Sequence, residues 1–424
     1  MKTRAVYIAG SARIPFVKSM TDYRDVQTQD LMIASLQRLV DTLQLSGRTV
    51  GDVGLGAVIN SSMNWNLARE AVLGTTLNPD TPAYTLQRAC GTSLETTLQI
   101  ALKIANYQMD DGIAGGVDSN SDLPVMFRQS FTRILLKLNE AKTPMQKIKA
   151  VLSFKPSHFK PQYPSVKEPR TGLSMGEHTE KMVKQWRISR KDQDQLAWAS
   201  HQKAARAYDE GFYDDLVFDF KGLHRDGTLR PDTTLDKLEK LKPAFDKTVT
   251  GTLTAGNSTP LTDGSSAVYL VSEDIAKQHR HPLLARFVDA QVAAVDFVHG
   301  EGLLMAPTRA VYELLYRNGL KLQDFDFYEI HEAFAGQVLC TLKAWESEEY
   351  CRNVLRAKQA LGPIDQSKMN IKGGSLALGH PFAATGTRIV GTLAKLLHQK
   401  GSGRGLISIC TAGGMGVAAI LEAV

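Results

Sequence analysis

The sequence predicts an α/β fold made of two similar halves, the first interrupted by a long insertion. Three observations predict it. Strand-like and helix-like segments alternate through the first third, the same order returns in the last third, and the stretch between has a different texture.

The first half opens with an apolar run at 6–9 and continues with helical spacing of apolar residues at 31–43. A second apolar run lies at 53–59. Residues 83–89 lead into a helix-like stretch at 93–107, and 112–117 reads as another buried strand. Apolar runs without polar alternation fit strands covered on both faces. The last third repeats the order: a strand at 283–295, a helix at 309–317, a short strand at 327–330 that ends at His331-Glu332, and an apolar run at 369–371. A glycine-rich turn, a helical run at 385–397, a strand at 405–409 ending at Cys410, and a final strand at 417–421 complete it. The repeat is one of order, not of residues.

From residue 123 to about 250 the alternation stops. Residues 142–170 are rich in Lys and Pro and poor in acids, and Ser189 with Asp192 forms a capping-box pattern that opens a helix running to Tyr208. The division that follows is 1–122 with 252–275 for the first half, 123–251 for the insertion, and 276–424 for the second half.

The chain has 424 residues, 43% of them hydrophobic, enough for more than one ordinary domain. The net charge of +6, with acids and bases mixed along most of the chain, makes no case for nucleic acid and suits a nucleotide-bearing polyanionic ligand. The four cysteines, 90, 340, 351 and 410, show neither the CxxC spacing of a metal site nor a disulfide framework. The start, Met1-Lys2-Thr3-Arg4 before a short apolar run, lacks a signal-peptide core, and no apolar stretch is long enough to span a bilayer. A soluble protein of a reducing compartment, the cytoplasm, is expected.

Four places carry candidate chemistry. Cys90, in Gln87-Arg88-Ala89-Cys90-Gly91-Thr92-Ser93, lies between a strand-like run and a helix. A helix N-terminus favours the thiolate and lowers its pKa, a good seat for a nucleophile. Alone, a buried structural cysteine is the commoner meaning of such a residue. His380 follows Gly373-Gly374-Ser375-Leu376-Ala377-Leu378-Gly379 and precedes Ala384-Thr385-Gly386. It could orient a nucleophile, donate to an oxyanion, or be satisfied in a turn. Cys410 opens Thr411-Ala412-Gly413-Gly414-Met415-Gly416, a turn able to present N–H groups to an anion or to close two strands around a buried thiol. His331-Glu332-Ala333-Phe334 sits where a strand ends, facing a cleft or opening a helix.

Together these motifs decide more than any one does. Cys90 to Ser93, Gly256 to Gly264, His331 to Phe334, Gly373 to Gly386 and Cys410 to Gly416 resemble the thiolase motif set, in its order, over nearly the whole chain. The resemblance implies two βαβαβαββ halves in a five-layer αβαβα core, with an inserted loop domain covering coenzyme A, in a dimer or higher homo-oligomer. It implies Cys90 as the nucleophile acylated by a 3-ketoacyl-CoA, Cys410 as the general acid or base at the acetyl-CoA carbon, and His380 as activator of Cys90. The N–H groups of Cys90 and Ala412 match the second oxyanion hole. Met175, Ser258 and Thr259 fall at positions that resemble coenzyme A contacts. CoA is then a substrate, with no permanently bound cofactor and no metal.

Two departures from the common pattern stand out. His331 replaces an Asn that holds a water in the first oxyanion hole, and it could hold the same water or reach the oxygen itself. The His form is similar to β-subunits of fatty-acid oxidation complexes, which raises an α-subunit partner or an acidic membrane as readings of the basic 142–170 run, beside contact with the CoA phosphates or a plain solvated face. Ala412 stands where Gly is common. By resemblance the function is degradative 3-ketoacyl-CoA thiolysis in β-oxidation. The rivals are an acetoacetyl-CoA thiolase of biosynthesis and, from another class, a non-catalytic lipid-binding or scaffold protein on the same fold. The related ketoacyl-carrier-protein synthases lack a second cysteine such as Cys410.

Overall fold

The computed structural model describes residues 3–424; Met1 and Lys2, read above as the lead-in to the first strand, lie outside them. Nine strands form the main sheet: β1 (Val6–Arg13), β2 (Val53–Gly56), β3 (Ala83–Leu86), β4 (Asp111–Asp118), β5 (Thr262–Ser272), β6 (Ala285–Ala294), β7 (Phe327–Ile330), β8 (Arg404–Thr411) and β9 (Met415–Glu422). Their spatial order is β7-β8-β9-β6-β1-β5-β4-β2-β3, with the two residues Val17–Lys18 paired beside β5. The halves meet where β1 pairs β6 over three residues, Val6 with Phe287, Tyr7 with Arg286 and Ile8 with Ala285.

Both faces of each half-sheet are apolar, which is why its strands read as unbroken hydrophobic runs. Along β9, Val417, Ala419 and Leu421 face one way and Ala418 and Ile420 the other. Along β5, Val268 and Leu270 face the molecular centre, whereas Ala267, Tyr269 and Val271 face an outer layer. That outer layer is the helices Thr28–Thr42 and Leu67–Leu73 on the first half, and Ala306–Asn318 with Ala335–Glu346 on the second. Between the two half-sheets run the helices Thr92–Ala105 and Thr385–Lys400, whose Leu94, Ile100, Ile104, Ile389, Leu393 and Leu397 fill one shared core. The result is five layers, helix–sheet–helix–sheet–helix. Close approach of the central pair requires Gly386, where an added Cβ would lie 2.2 Å from the Leu94 nitrogen.

The repeat of order holds with one exception. Residues 369–371, the run that stands where a strand precedes the central helix in the first half, make a single parallel bridge between Met369 and Tyr328. Asn370 explains it: its backbone is left-handed (φ 45°), and its carboxamide accepts from the Ile330 N–H (2.9 Å) and donates to the Ile330 carbonyl (2.8 Å). A side chain thus replaces the ladder that a longer strand would make.

The chain leaves the sheet after β4 and returns at β5. The excursion holds five helices, Gln129–Glu140, Pro144–Leu152, Met175–Gln185, Arg190–Asp209 and Leu235–Glu239, and a two-residue strand pair. Ser189 caps its long helix by accepting the Asp192 N–H. Arg13, at the end of β1, donates to both oxygens of buried Asp226 (2.6 and 2.7 Å), and the Tyr208 hydroxyl donates to the same carboxylate (2.7 Å). Removing one member of so buried a pair costs about 3–5 kcal/mol, so this contact anchors the excursion to the sheet.

Candidate active site

Four chain ends converge between the two half-sheets. Cys90 follows Ala89, whose φ of 43° is left-handed and unusual for a residue with a Cβ. That turn lifts the half-buried thiol just ahead of the helix Thr92–Ala105. His380 precedes the other central helix, Thr385–Lys400, and its N–H donates to Thr262 Oγ1 (2.9 Å). His331 directly follows β7 and donates its N–H to the Ser408 carbonyl of β8 (2.8 Å). Cys410 lies inside β8, one residue before the strand's end, and is 1% exposed.

The side chains meet as well. Cys90 Sγ and one ring nitrogen of each of His331 and His380 lie within 4.8 Å of one another, and the two imidazole centroids are 4.1 Å apart. Nδ1 of His331 bonds to Ser375 Oγ (2.8 Å) and Nδ1 of His380 to Thr385 Oγ1 (2.6 Å). Each ring therefore turns a buried, unpartnered Nε2 toward the thiol. These are also the three donor atoms that, among the described residues, come close enough to share a metal ion, a proximity their sequence spacing gave no hint of.

The backbone N–H groups of Ala412 and of Cys90 itself lie close enough to act on the Cys90 thiol, the pair named above for an oxyanion hole. Those N–H bonds draw the thiol's pKa down, but burial outweighs them and pushes it up to about 12. The thiolate-favouring helix end expected from the sequence is thus overridden in the resting site. Burial also holds His380 down to about 3 and, with His380 and Arg388 nearby, holds His331 well below the usual histidine range. Burial and the neighbouring Cys90 keep Cys410 protonated. The resting site holds neutral thiols beside neutral imidazoles, so an attack by either sulfur would require its proton to pass to a base.

Several supporting residues carry no sequence signal. Asp118, at the end of β4, accepts N–H groups from Val58, Ile59 and Ala383, and so fixes the His380 loop against the first half. Glu168 accepts the Gly413 N–H (2.7 Å) and steadies the turn that aims Ala412. Ser375 and Arg388 stand behind His331, the guanidinium donating to Ser375 Oγ (2.7 Å).

A cavity of about 390 Å³ has Ser258 and Leu376 in its wall and Lys18, Arg230 and Lys237 among its cations; Cys90, His331, His380 and Cys410 are not part of its lining. Of the three coenzyme A positions, Ser258 lines this cavity with a buried, unpartnered hydroxyl. The Thr259 hydroxyl is instead spent on the Ala333 carbonyl (3.0 Å), and Met175 packs on the cluster that includes Cys410 and Phe334. The basic 142–170 run stays on the surface, apart from this cavity's lining.

Comparison with known proteins agrees with this arrangement. The thiolase N-terminal domain family matches residues 6–274, and the thiolase C-terminal domain family matches 281–423. A 3-ketoacyl-CoA thiolase of Photorhabdus laumondii is 40% identical over 98% of this chain and 96% of its own length, and one from Shewanella is 38% identical over 99% and 97%. Among solved structures, the acetyl-CoA acetyltransferase of Bacillus anthracis superposes with a TM-score of 0.83 at 29% identity over all of both chains. Human mitochondrial 3-ketoacyl-CoA thiolase in complex with CoA superposes with 0.82 at 28%, over 99% and 98%. Five layers and a match along both halves place the chain in the thiolase family, as an acyltransferase.

Proposed function

We propose that the chain is a degradative 3-ketoacyl-CoA thiolase, and the observation that carries this is the meeting of Cys90 with His380 and His331, with buried Cys410 near enough to feel the Cys90 charge. His380 Nε2 takes the Cys90 proton as the sulfur attacks the 3-keto carbon. The C2–C3 bond breaks, and its electron pair leaves on acetyl-CoA as an enolate, which Cys410 protonates. Acyl-Cys90 remains. The thiol of a second CoA gives its proton to Cys410 and attacks the acyl carbon. Cys90 departs, recovers its proton from His380, and a shortened acyl-CoA is released. Two modest barriers replace one large barrier, so ping-pong kinetics follow. The cavity beside Ser258 suits the CoA arm, with Lys18, Arg230 and Lys237 as partners for its phosphates.

The test is CoA-dependent cleavage of 3-ketoacyl-CoAs of graded chain length, followed by loss of the Mg²⁺-enolate absorbance, with Cys90→Ser in parallel. Turnover of long chains that the variant loses supports the proposal. Turnover of acetoacetyl-CoA alone moves the chain to biosynthesis, and none at any length moves it to the non-catalytic class.

The inserted segment suits an anionic membrane surface. Residues 123–170 hold ten basic and two acidic residues. The paired helices Gln129–Glu140 and Pro144–Leu152 expose Leu136, Met145, Ile148, Val151 and Leu152 beside those lysines. Among the described residues no helix is long and apolar enough to cross a membrane, so such contact is peripheral. Flotation with anionic vesicles tests it, and binding to a β-oxidation α-subunit instead of lipid would replace it. β3 ends the main sheet with one edge unpaired and Trp65 and Met63 exposed nearby, a surface suited to a second copy in a homodimer. We place the enzyme in the cytoplasm, where its four free thiols would stay reduced.

A further inference from the structure

The two active-site histidines differ in what lies behind them. Each bonds through Nδ1 to a hydroxyl, Ser375 for His331 and Thr385 for His380. Ser375 Oγ also receives an N–H from Arg388 Nη2 at 2.7 Å. Arginine is always protonated and can only donate. Arg388 fills one of the two lone pairs and polarises the hydroxyl, which makes it a stronger donor and a poorer acceptor, and of the two contacts Ser375 Oγ makes, only His331 Nδ1 can take its proton. Ser375 is fully buried, so no solvent competes for that proton. Thr385 is equally buried, but among the described residues no cation sits on its oxygen: its one side-chain contact is His380 Nδ1, and without a guanidinium to polarise it the hydroxyl can serve that nitrogen as donor or acceptor.

We infer that Arg388 and Ser375 are positioning residues that hold His331 as the Nε2–H tautomer, a hydrogen-bond donor into the site, whereas no cation behind His380 imposes that tautomer on it. The unpartnered Nε2 of His331 is then an N–H aimed at the substrate carbonyl oxygen without an intervening water. One ring stabilises negative charge and its neighbour takes the proton, although both are buried, neutral imidazoles. The division of labour is set by a guanidinium that touches neither ring. The catalytic meaning of this division rests on the thiolase reading; the tautomer itself rests on the hydrogen-bond geometry alone.

The test is ¹⁵N NMR of the full-length protein with labelled histidine, the His331 ring assigned by its loss in His331→Asn. The wild type is expected to show His331 protonated at Nε2, and Ser375→Ala to show a mixed or Nδ1–H ring. A wild-type ring protonated at Nδ1, or a pattern unmoved in Ser375→Ala, overturns the inference whether or not the enzyme turns over ketoacyl-CoA. Kinetics supply the second reading. Ser375→Ala is expected to lower kcat by roughly 10- to 100-fold with KM little changed, the scale of weakening one oxyanion donor. Iodoacetamide alkylation of Cys90, which needs a base but no oxyanion donor, is expected to stay within about twofold. Equal loss in both assays would mean general disruption of the site and would also overturn it. Arg388→Lys keeps a donating cation and should restore the wild-type ring pattern that Arg388→Met loses.

Discussion

The two halves of this chain run through the same slot in different ways. In the first, β3 passes through Gln87, Arg88 and Ala89 to Cys90 and the helix Thr92–Ala105, and these connecting residues are exposed or half-buried. In the second, the bridge at Met369 passes through a longer connector, Gly373 to Ala384, to the helix Thr385–Lys400, and nearly all of it is buried. A short, open connector leaves Cys90, the proposed nucleophile, within reach of a substrate. A long, closed one holds His380 and Ser375 in a dry setting where neutral imidazoles are favoured. The repeat therefore duplicates the scaffold and divides the site residues: the first half carries Cys90, and the second carries His331, His380 and Cys410.

The largest expected effect tests that division directly. Cys90→Ala should lower ketoacyl-CoA cleavage about 10⁴-fold or more, as loss of a covalent nucleophile does. His380→Ala should cost about 10²- to 10⁴-fold, the range for a general base, and should also slow alkylation of Cys90. Both are read from kcat in the enolate assay. If the His380 variant alkylates at the wild-type rate, the base lies elsewhere and the comparison of the two connectors loses its meaning.

The closed connector also predicts an unusual pH response. His380, held to about 3 by burial, is already an unprotonated base throughout the physiological range. kcat/KM should therefore show no acid limb near pH 6.5, where a solvated histidine would titrate. Stability should behave otherwise. The unfolded chain takes up protons on His331 and His380 near pH 6.5, whereas the folded chain refuses them, so Tm should fall as pH drops below that value. An activity limb at pH 6–7 with a flat Tm would show the imidazoles to be wet.

What could be read from the sequence follows the same divide. Cys90, His331, His380 and Cys410 were legible because each interrupts an apolar run at a strand or helix end, beside small residues that permit close approach. Asp118 and Glu168 were not, because they act on Ala383 and Gly413, 265 and 245 residues away, and such pairing exists only once the halves close. The run at 369–371 stops at a single bridge because Asn370 is left-handed, a feature that leaves no mark in hydropathy. The thiolate-favouring helix end was a true local effect, outweighed by a burial that only the assembled layers create.

The seam between the halves offers the next largest effect. Gly386→Ala puts a Cβ 2.2 Å from the Leu94 nitrogen and 2.8 Å from Ser93 Oγ, both on the helix that follows Cys90. The central helices must separate to admit it. Thermal unfolding should show a loss of about 1–3 kcal/mol, the scale of an overpacked core, with kcat falling as the distance from Cys90 to His380 grows. Unchanged stability would mean that the central layer gives way more easily than its packing suggests.

The smallest effect belongs to the open connector. Ala89 holds a left-handed backbone that costs a residue with a Cβ about 1–2 kcal/mol. Ala89→Gly removes that strain but adds freedom to the unfolded chain worth roughly 0.5–1 kcal/mol, so the net change in stability should be a gain of about 1 kcal/mol or less. A scaffold selected for stability alone would have glycine here. If the strain instead serves to hold the thiol against the Ala412 N–H, Ala89→Gly should gain slightly in Tm while losing severalfold in kcat, because Cys90 can then wander from its two donors. A variant more stable and equally active would show that the turn needs only the left-handed conformation, and that the side chain at 89 contributes nothing to aiming the nucleophile.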